Sequence, residues 1–140
     1  MLITHKLSSK EWEIYAEAAH LAVFSENRPK EMNRIDFALV VHDGDLPLGY
    51  GTFRELDDES VYMQYGGAFP SCAKTMNAWY VYEQVINTLK KSCYKRATTL
   101  IENKNIPMLK FAFKMGFKIM GIRFFNNEIY CELLKEFKET

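Results

Sequence analysis

Residues 105–117 have the sequence NIPMLKFAFKMGF and decide the fold of the C-terminal half of the chain. Asn105 can accept a hydrogen bond from the first free amides of a helix, and Pro107 lies where its missing N–H costs least. Gly116 can adopt the left-handed conformation that ends the last helical turn. Since apolar runs lie on both sides, the order predicted here is strand, short helix, Gly-Phe, strand.

Hydrophobic periodicity predicts the elements outside this segment. A short first strand is predicted at residues 2–4. A helix follows, which begins at a capping box formed by Ser8 and Glu11 and extends to about residue 25. Three strands at residues 37–42, 48–55 and 60–69 are predicted to form an antiparallel meander, and a long amphipathic helix follows at residues 76–91. Strands at residues 97–102 and 118–124 lie on either side of the short helix, and a last strand at residues 128–135 closes a hairpin.

These elements predict one domain over residues 1–140, built on a mixed, mostly antiparallel sheet. The join from strand 60–69 through the long helix to strand 97–102 is a right-handed parallel crossover. Where two such neighbouring strands part, the opening can admit a ligand. Gly66 and Gly67 in the earlier strand favour a bulge or bend there.

Composition excludes several classes of protein. Nearly half of the residues are apolar, which argues against disorder, and no apolar run is long enough to span a bilayer. The N-terminal residues lack the apolar core of a secretory signal. Cys72, Cys93 and Cys131 are odd in number and widely spaced, so we expect reduced, mostly buried thiols in a cytoplasmic protein.

The charges are balanced overall but unevenly distributed. Residues 88–123 hold nine lysines and arginines against one acid, whereas residues 1–72 hold twelve acids against six bases. The basic segment can attract an anionic ligand, or it can be an ordinary solvated surface. Nucleic-acid binding is less expected, because the whole chain is neutral. His5, His20 and His42 lack metal-ligand or triad spacing, so no metal site is predicted.

The pattern of Asn105, Phe111, Gly116 and Phe117 resembles the C-terminal half of the GCN5-related N-acyltransferase (GNAT) family. The resemblance spans roughly residues 36–135. It implies an α+β, GNAT-like single domain with a mixed, mostly antiparallel central sheet and helices on both faces. It also implies transfer of an acetyl group from acetyl-CoA to an amine of a small-molecule or protein acceptor.

In that family, the amides of a glycine-containing loop before the long helix hold the cofactor's pyrophosphate, helped by the helix dipole. The usual spacing places this loop on Ala73, Lys74, Thr75, Met76, Asn77 and Ala78. Only Ala78 matches the family pattern, and Met76 replaces a glycine. Phe69, Asn105 and Phe111 complete the predicted cofactor-binding residues. The alternatives are an ordinary helix start and, for Asn105, a plain N-cap.

Amine acylation requires a neutral amine and a protonated or stabilised thiolate leaving group. The family's tyrosine acid falls on Ala112, which cannot donate a proton. Glu102 is the candidate base, Gln64 could position a water, and Tyr65 could replace the missing phenol if the fold brings it close. Polar residues at solvated strand ends are the alternative interpretation of all three.

The divergent loop and the missing tyrosine also resemble small GNAT-like proteins of tailed phages, including those linked to virion or head assembly. On that reading the protein would act in the host cytoplasm, the cleft would be vestigial, and a surface patch would bind a protein partner. Both functions stay open at this point.

Overall fold

The computed structural model describes residues 2–24, 34–70 and 78–137. Within these ranges, the elements in chain order are β1 (Leu2–Ser8), α1 (Ser9–Glu13), α2 (Ala16–Phe24), β2 (Phe37–Asp43), β3 (Leu46–Asp57), β4 (Ser60–Ala68), α3 (Ala78–Lys91), β5 (Arg96–Glu102), α4 (Ile106–Lys114), β6 (Lys118–Phe125) and β7 (Glu128–Glu136). None of the helices in this part of the chain has the length and apolar character that crossing a bilayer requires.

All seven strands lie in one sheet, in the order β1-β2-β3-β4-β5-β7-β6. The β4–β5 pair is parallel and every other neighbouring pair is antiparallel. The parallel pair is joined through α3, as a crossover requires, because parallel strands cannot be connected by a tight hairpin. The mixed, mostly antiparallel sheet is therefore confirmed.

Helices cover both faces of the sheet, as predicted. On one face, α3 and α4 pack over a large core that includes Phe53, Val61 and Leu133, each fully buried. On the other face, α1 and α2 pack over a smaller core around Trp12 and Tyr50, whose rings lie 4.9 Å apart. We call these the α3–α4 face and the α1–α2 face.

The segment that decides the fold is confirmed at both ends of α4. Asn105 is the N-cap, and its side-chain oxygen accepts a hydrogen bond from the Met108 amide at 3.3 Å. At the other end, Gly116 has a φ of +94°, and the Phe117 amide donates to the carbonyl of Ala112 at 3.0 Å. A left-handed glycine followed by this six-residue closure is a Schellman motif.

The N-terminal prediction needs two corrections. The first strand continues to Ser8, and the single predicted helix is broken into α1 and α2 at Ile14 and Tyr15. The capping box is confirmed, with the Glu11 amide donating to Ser8 Oγ at 3.2 Å and the Ser8 amide donating to the Glu11 carboxylate at 3.0 Å. Tyr15 lies in this break and is exposed.

The prediction of buried thiols is right for Cys131 and wrong for Cys93. Cys131 lies in the core, whereas Cys93 is exposed and has a φ of +72°. This left-handed residue ends the turn after α3, where the side chain is directed to solvent. Cys72 lies outside the described residues.

Candidate functional site

β4 and β5 part after a short paired segment. They pair over four positions, from Ser60 opposite Arg96 to Met63 opposite Thr99. Beyond that point β4 stays paired with β3, and β5 stays paired with β7. The Thr99 hydroxyl donates to the Met63 carbonyl at 3.0 Å and closes the base of the opening. We call this opening, between residues 64–68 and 100–102, the fork; its presence confirms the predicted divergence.

A β-bulge lies at the base of the fork. Thr52 of β3 is opposite Tyr65, but the next residue, Phe53, is opposite Met63, so Gln64 is the extra residue. The Thr52 hydroxyl compensates for the disturbed ladder, because it accepts from the Tyr65 amide at 3.2 Å and donates to the Tyr65 carbonyl at 3.3 Å. A bulge bends its strand and increases the twist, which accounts for β4 leaving β5 here.

The bulge predicted at Gly66 and Gly67 is therefore displaced, since both glycines keep a regular register with β3. They are needed for space instead. A Cβ at Gly66 would lie 2.7 Å from the Tyr50 carbonyl oxygen, and a Cβ at Gly67 would lie 2.6 Å from Val23 Cγ1 of α2. The two glycines thus allow β3 and α2 to approach β4 closely.

Backbone groups line one side of the fork. The amide of Phe69 donates to β3, and the backbone of Tyr65 faces the same strand. Because alternate residues of a strand direct their N–H and C=O groups to opposite edges, Gly66 and Ala68 direct theirs into the fork. These groups can pair with the amides of a bound ligand.

The opposite side of the fork is lined in the same way by β5. The Asn103 amide donates to Ile129 of the β7 side, so Leu100 and Glu102 direct their backbone groups towards β4. The Glu102 carbonyl accepts from the Asn105 amide at 2.9 Å, which leaves its N–H facing the fork. An extended ligand can therefore meet donors and acceptors on both sides.

On the α3–α4 face, an aromatic cluster joins the two helices. The Phe111 ring of α4 lies 4.8 Å from that of Tyr82 and 6.3 Å from that of Trp79, both on α3. Burial raises the pKa of Tyr82 to about 12, so this phenol stays protonated at neutral pH. Ala112 lies in the core and offers no acid. Tyr82 was not among the predicted site residues, and its hydroxyl, one turn into the long helix, is the feature of the sequence that could have singled it out.

On the other face, phenols and carboxylates lie near the mouth of the fork. Burial raises the pKa of Tyr62 and of Tyr130, and Glu102 adds to the effect on Tyr130. Lys104 forms ion pairs with Glu102 at 3.6 Å and with Glu128 at 2.6 Å. Strand alternation places these tyrosines and Glu102 opposite α3 and α4, because their strand neighbours are in that core.

Two of the three predicted catalytic residues, the sequence neighbours Gln64 and Tyr65, lie at the base of the fork. Gln64 and Tyr65 lie at the bulge, and the enclosed Gln64 Oε1 accepts no hydrogen bond from the described residues. The Tyr65 ring contacts the rings of His20 and Phe24 of α2, with ring centroids 5.3 and 5.8 Å apart. Glu102 lies three residues beyond the last paired position of β5, about 10 Å along the strand, so it is not beside Gln64.

The predicted cofactor-binding residues lie on both faces of the sheet. The Phe69 ring stacks on Tyr50 at 5.7 Å on the α1–α2 face, whereas Phe111 lies on the α3–α4 face. Asn105 follows β5 and caps α4. Ala78 is the first described residue of α3; the remaining predicted loop, residues 73–77, lies outside the described residues.

The basic segment is partly neutralised. Lys95 and Arg96 pair with Glu59 at 3.3 and 3.6 Å. Arg123 pairs with Glu132 at 3.2 Å, and Lys104 pairs as described above. Four of the nine basic residues thus have acidic partners, which weakens the field available to an anion.

Two of the three histidines are far apart in the sequence but lie side by side in the sheet. His5 and His42, on neighbouring strands, contact edge-on with ring centroids 5.1 Å apart, while His20 is buried on α2. Burial and the adjacent His5 lower the pKa of His42. Among the described residues, no three His, Cys, Asp or Glu side chains form a group that could hold a metal ion.

Neither a family model nor a curated protein matches this sequence. Solved structures do match it in fold. The ribosomal-protein-S18-alanine N-acetyltransferase from Escherichia coli has a TM-score of 0.76 at 10% identity, over 100% of this chain and 96% of that one. The IAA acetyltransferase from Bacillus cereus ATCC 14579 has a TM-score of 0.74 at 12% identity, over 98% and 100%.

A GNAT family acetyltransferase from Elizabethkingia anophelis with acetyl-CoA bound has a TM-score of 0.72 at 16% identity, over 97% of this chain and 98% of that one. These structures match nearly whole chain to whole chain, while their sequences have little in common with this one. The chain therefore has the GNAT acetyltransferase fold, in a form that has diverged far in sequence.

Proposed function

We propose that this protein binds acetyl-CoA in the fork and transfers the acetyl group to the amine of a small molecule or peptide. The observation that carries the proposal is the fork itself: two neighbouring strands part while each keeps its other ladder. The matching structure from Elizabethkingia anophelis, with acetyl-CoA bound, supports the choice of cofactor.

The pantetheine arm of the cofactor carries amide groups that suit this opening. They would pair with the fork-facing backbone of Gly66 and Ala68, so that the arm adds a short strand beside β4. The pyrophosphate would lie at the start of α3, where free amides and the helix dipole favour an anion. Lys74 and Thr75 would add a charge and a hydroxyl there, in a segment that stays a prediction.

The reaction needs no covalent enzyme intermediate. The neutral amine attacks the thioester carbonyl carbon, a C–N bond forms, the C–S bond breaks, and the nitrogen loses a proton. Gln64, whose side-chain oxygen has no partner among the described residues, would orient the water that accepts this proton. Glu102, farther along β5, would take part as a charge near the mouth, and Tyr65 would line the acceptor side.

The leaving thiolate needs a hydrogen-bond donor, and on the α3–α4 face we propose Tyr82, whose ring contacts Phe111 of α4. A phenol with a pKa of about 12 is a poor acid towards a thiolate, whose conjugate acid has a pKa of roughly 8.5. It is nevertheless a permanent hydrogen-bond donor at neutral pH. We therefore assign Tyr82 the stabilisation of the departing sulfur, which takes its proton from solvent.

Cofactor binding is tested by calorimetry with coenzyme A and acetyl-CoA. Ala68→Pro removes a fork-facing N–H without breaking a β3–β4 hydrogen bond, since proline is tolerated where its nitrogen leaves the ladder. Ala68→Val is the matched control, because it adds bulk and keeps the N–H. We expect the proline variant to bind at least about tenfold more weakly than the control. Absence of wild-type binding at about millimolar cofactor would remove the proposal.

Catalysis is tested by following free thiol from acetyl-CoA in the presence of a panel of amines. We expect Tyr82→Phe to lower kcat about tenfold and to leave the affinity for coenzyme A unchanged, because the hydroxyl acts on the leaving group. Equal kcat in both proteins would remove Tyr82 from the mechanism. If the protein binds the cofactor but releases no thiol in the presence of any amine, it is not a catalyst. That result would agree with the alternative in which the protein acts in virion or head assembly.

A further inference from the structure

The strand at the β6 edge of the sheet is unusually apolar for an exposed strand. β6 has no strand on its outer side among the described residues. Ile119, Ile122 and Phe124 are 56%, 62% and 68% exposed. An open edge presents a row of unpaired backbone groups, and an apolar edge strand invites pairing with another chain.

The three side chains lie in one row on the α3–α4 face. Ile119 is opposite Leu133 and Ile122 is opposite Cys131, and both β7 partners are buried in the core of that face. Directly opposed residues of an antiparallel pair point to the same side of the sheet. A bulge at residue 120 keeps Ile119 in the row, and Phe124 follows by alternation.

α4 extends this row with two more apolar side chains. Leu109 and Ala112 face the sheet, and Phe111 faces α3. Helical geometry then places Ile106 and Phe113, 50% and 45% exposed, on the flank away from α3. That flank lies towards β6, because α3 packs over β1 to β4 at the other end of the sheet.

We call the combined surface the edge patch; its members are Ile106, Phe113, Ile119, Ile122, Phe124 and Ile129. Six large apolar side chains, each about half exposed, present on the order of 500 Å² of apolar surface. A standard interface buries about 800 Å² per partner, and the β6 backbone with its neighbouring side chains can supply the remainder.

The charges of β6 allow a second copy of the chain as the partner. Arg123 is already paired with Glu132 of its own chain. An antiparallel two-fold centred on Ile122 sets Arg123 opposite Gly121 of the other copy. The two Arg123 side chains become diagonal neighbours, and each keeps its own Glu132 as the counter-charge. The same axis sets Phe124 opposite the bulge after Ile119, which places apolar groups against each other.

We infer that β6 pairs with β6 of a second copy, and that the edge patch forms the apolar part of a two-fold symmetric dimer. The backbone edge and the apolar row are both satisfied by this one partner. The inference does not depend on acetyl transfer, because the edge patch lies outside the fork.

Sedimentation and light scattering between about 1 and about 200 µM test the inference. We expect the wild type to reach twice its chain mass of 16.4 kDa. Ile122→Glu places two carboxylates at the two-fold axis and should raise the dimer dissociation constant about 100-fold or more. Ile3→Glu is the matched control, since Ile3 is 46% exposed on β1 at the opposite edge of the sheet; it should leave the dimer intact.

A monomer at the highest concentration would overturn the inference, and so would a dimer that Ile3→Glu disrupts and Ile122→Glu does not. Hydrogen exchange of the wild type covers the case in which Ile122→Glu fails to fold. The amides on the outer edge of β6 should exchange more slowly as the concentration rises, while those of β1 should not change. Equal β6 exchange at low and high concentration would also overturn it.

Discussion

Asn105 can be tested for two separate roles, as the N-cap of α4 and as a residue that contacts the cofactor. Its side-chain oxygen accepts from the Met108 amide at 3.3 Å and caps α4. The family resemblance gives the same residue a contact with the cofactor arm. Asn105→Ala removes both roles, whereas Asn105→Ser keeps a capping oxygen and removes the amide.

The expected cost of Asn105→Ala follows from that one hydrogen bond. Loss of an N-cap costs about 0.5–2 kcal/mol, and a long bond on an exposed residue belongs in the lower half of the range. We expect about 1 kcal/mol of unfolding free energy, which lowers the melting temperature by about 3–4 °C for a chain of this size. Asn105→Ser should recover most of this loss.

Urea unfolding measures the stability of the three proteins, and calorimetry measures their affinity for coenzyme A. If Asn105 acts only as a cap, the serine variant keeps both wild-type stability and wild-type affinity. Normal stability with weakened cofactor binding would place the Asn105 amide against the ligand. A loss above about 3 kcal/mol for the alanine variant, or no recovery with serine, would refute the capping argument.

Three further predictions concern single positions. Gly116→Ala should cost about 1–2 kcal/mol in chemical denaturation, because its φ of +94° is unfavourable for a residue with a Cβ; an unchanged midpoint would contradict this. Tyr94→Phe should cost about 1–2 kcal/mol at neutral pH by removing the phenol that donates to the Glu55 carboxylate. Burial is the larger cause and the bond to Glu55 the smaller cause of the raised pKa of Tyr94 in the folded protein. The hydroxyl therefore contributes its full share to the free energy of unfolding below pH 10 and loses it as the pH rises further. In a pH series, the difference in stability between wild type and variant should narrow above pH 10. Ala112→Tyr should destabilise by about 1–3 kcal/mol and fail to raise acetyl transfer, since the position is only 3% exposed; a stable, faster enzyme would show that the core can accommodate the phenol.

Much of the candidate site could be predicted because it depends on short-range pattern. The capping residue, the left-handed glycine and the parting of β4 from β5 all appear where residue order and spacing place them. Gln64 and Tyr65 lie at the bulge beside this opening. Their roles, and the loop at residues 73–77, remain predictions.

Other features depended on contacts that residue order does not contain. The bulge lies at Gln64 and not at the glycine pair, because Thr52 on another strand supplies the hydroxyl that accommodates the extra residue. Tyr82 gains its raised pKa from burial on the α3–α4 face, where its ring meets Phe111. Four of the nine basic residues predicted to attract an anion pair instead with acidic side chains, such as Lys95 with Glu59.

The sequence by itself determined both ends of α4, the strand order along the chain and the crossover, because these follow from interactions within a few residues and from the period of apolar side chains. Only the tertiary structure decided which side chains share the fork, which lie on opposite faces, and which strand edge stays open. The physical reason is that a one-residue bulge or a helix break changes the direction of every side chain that follows, and such changes are set by packing between distant elements.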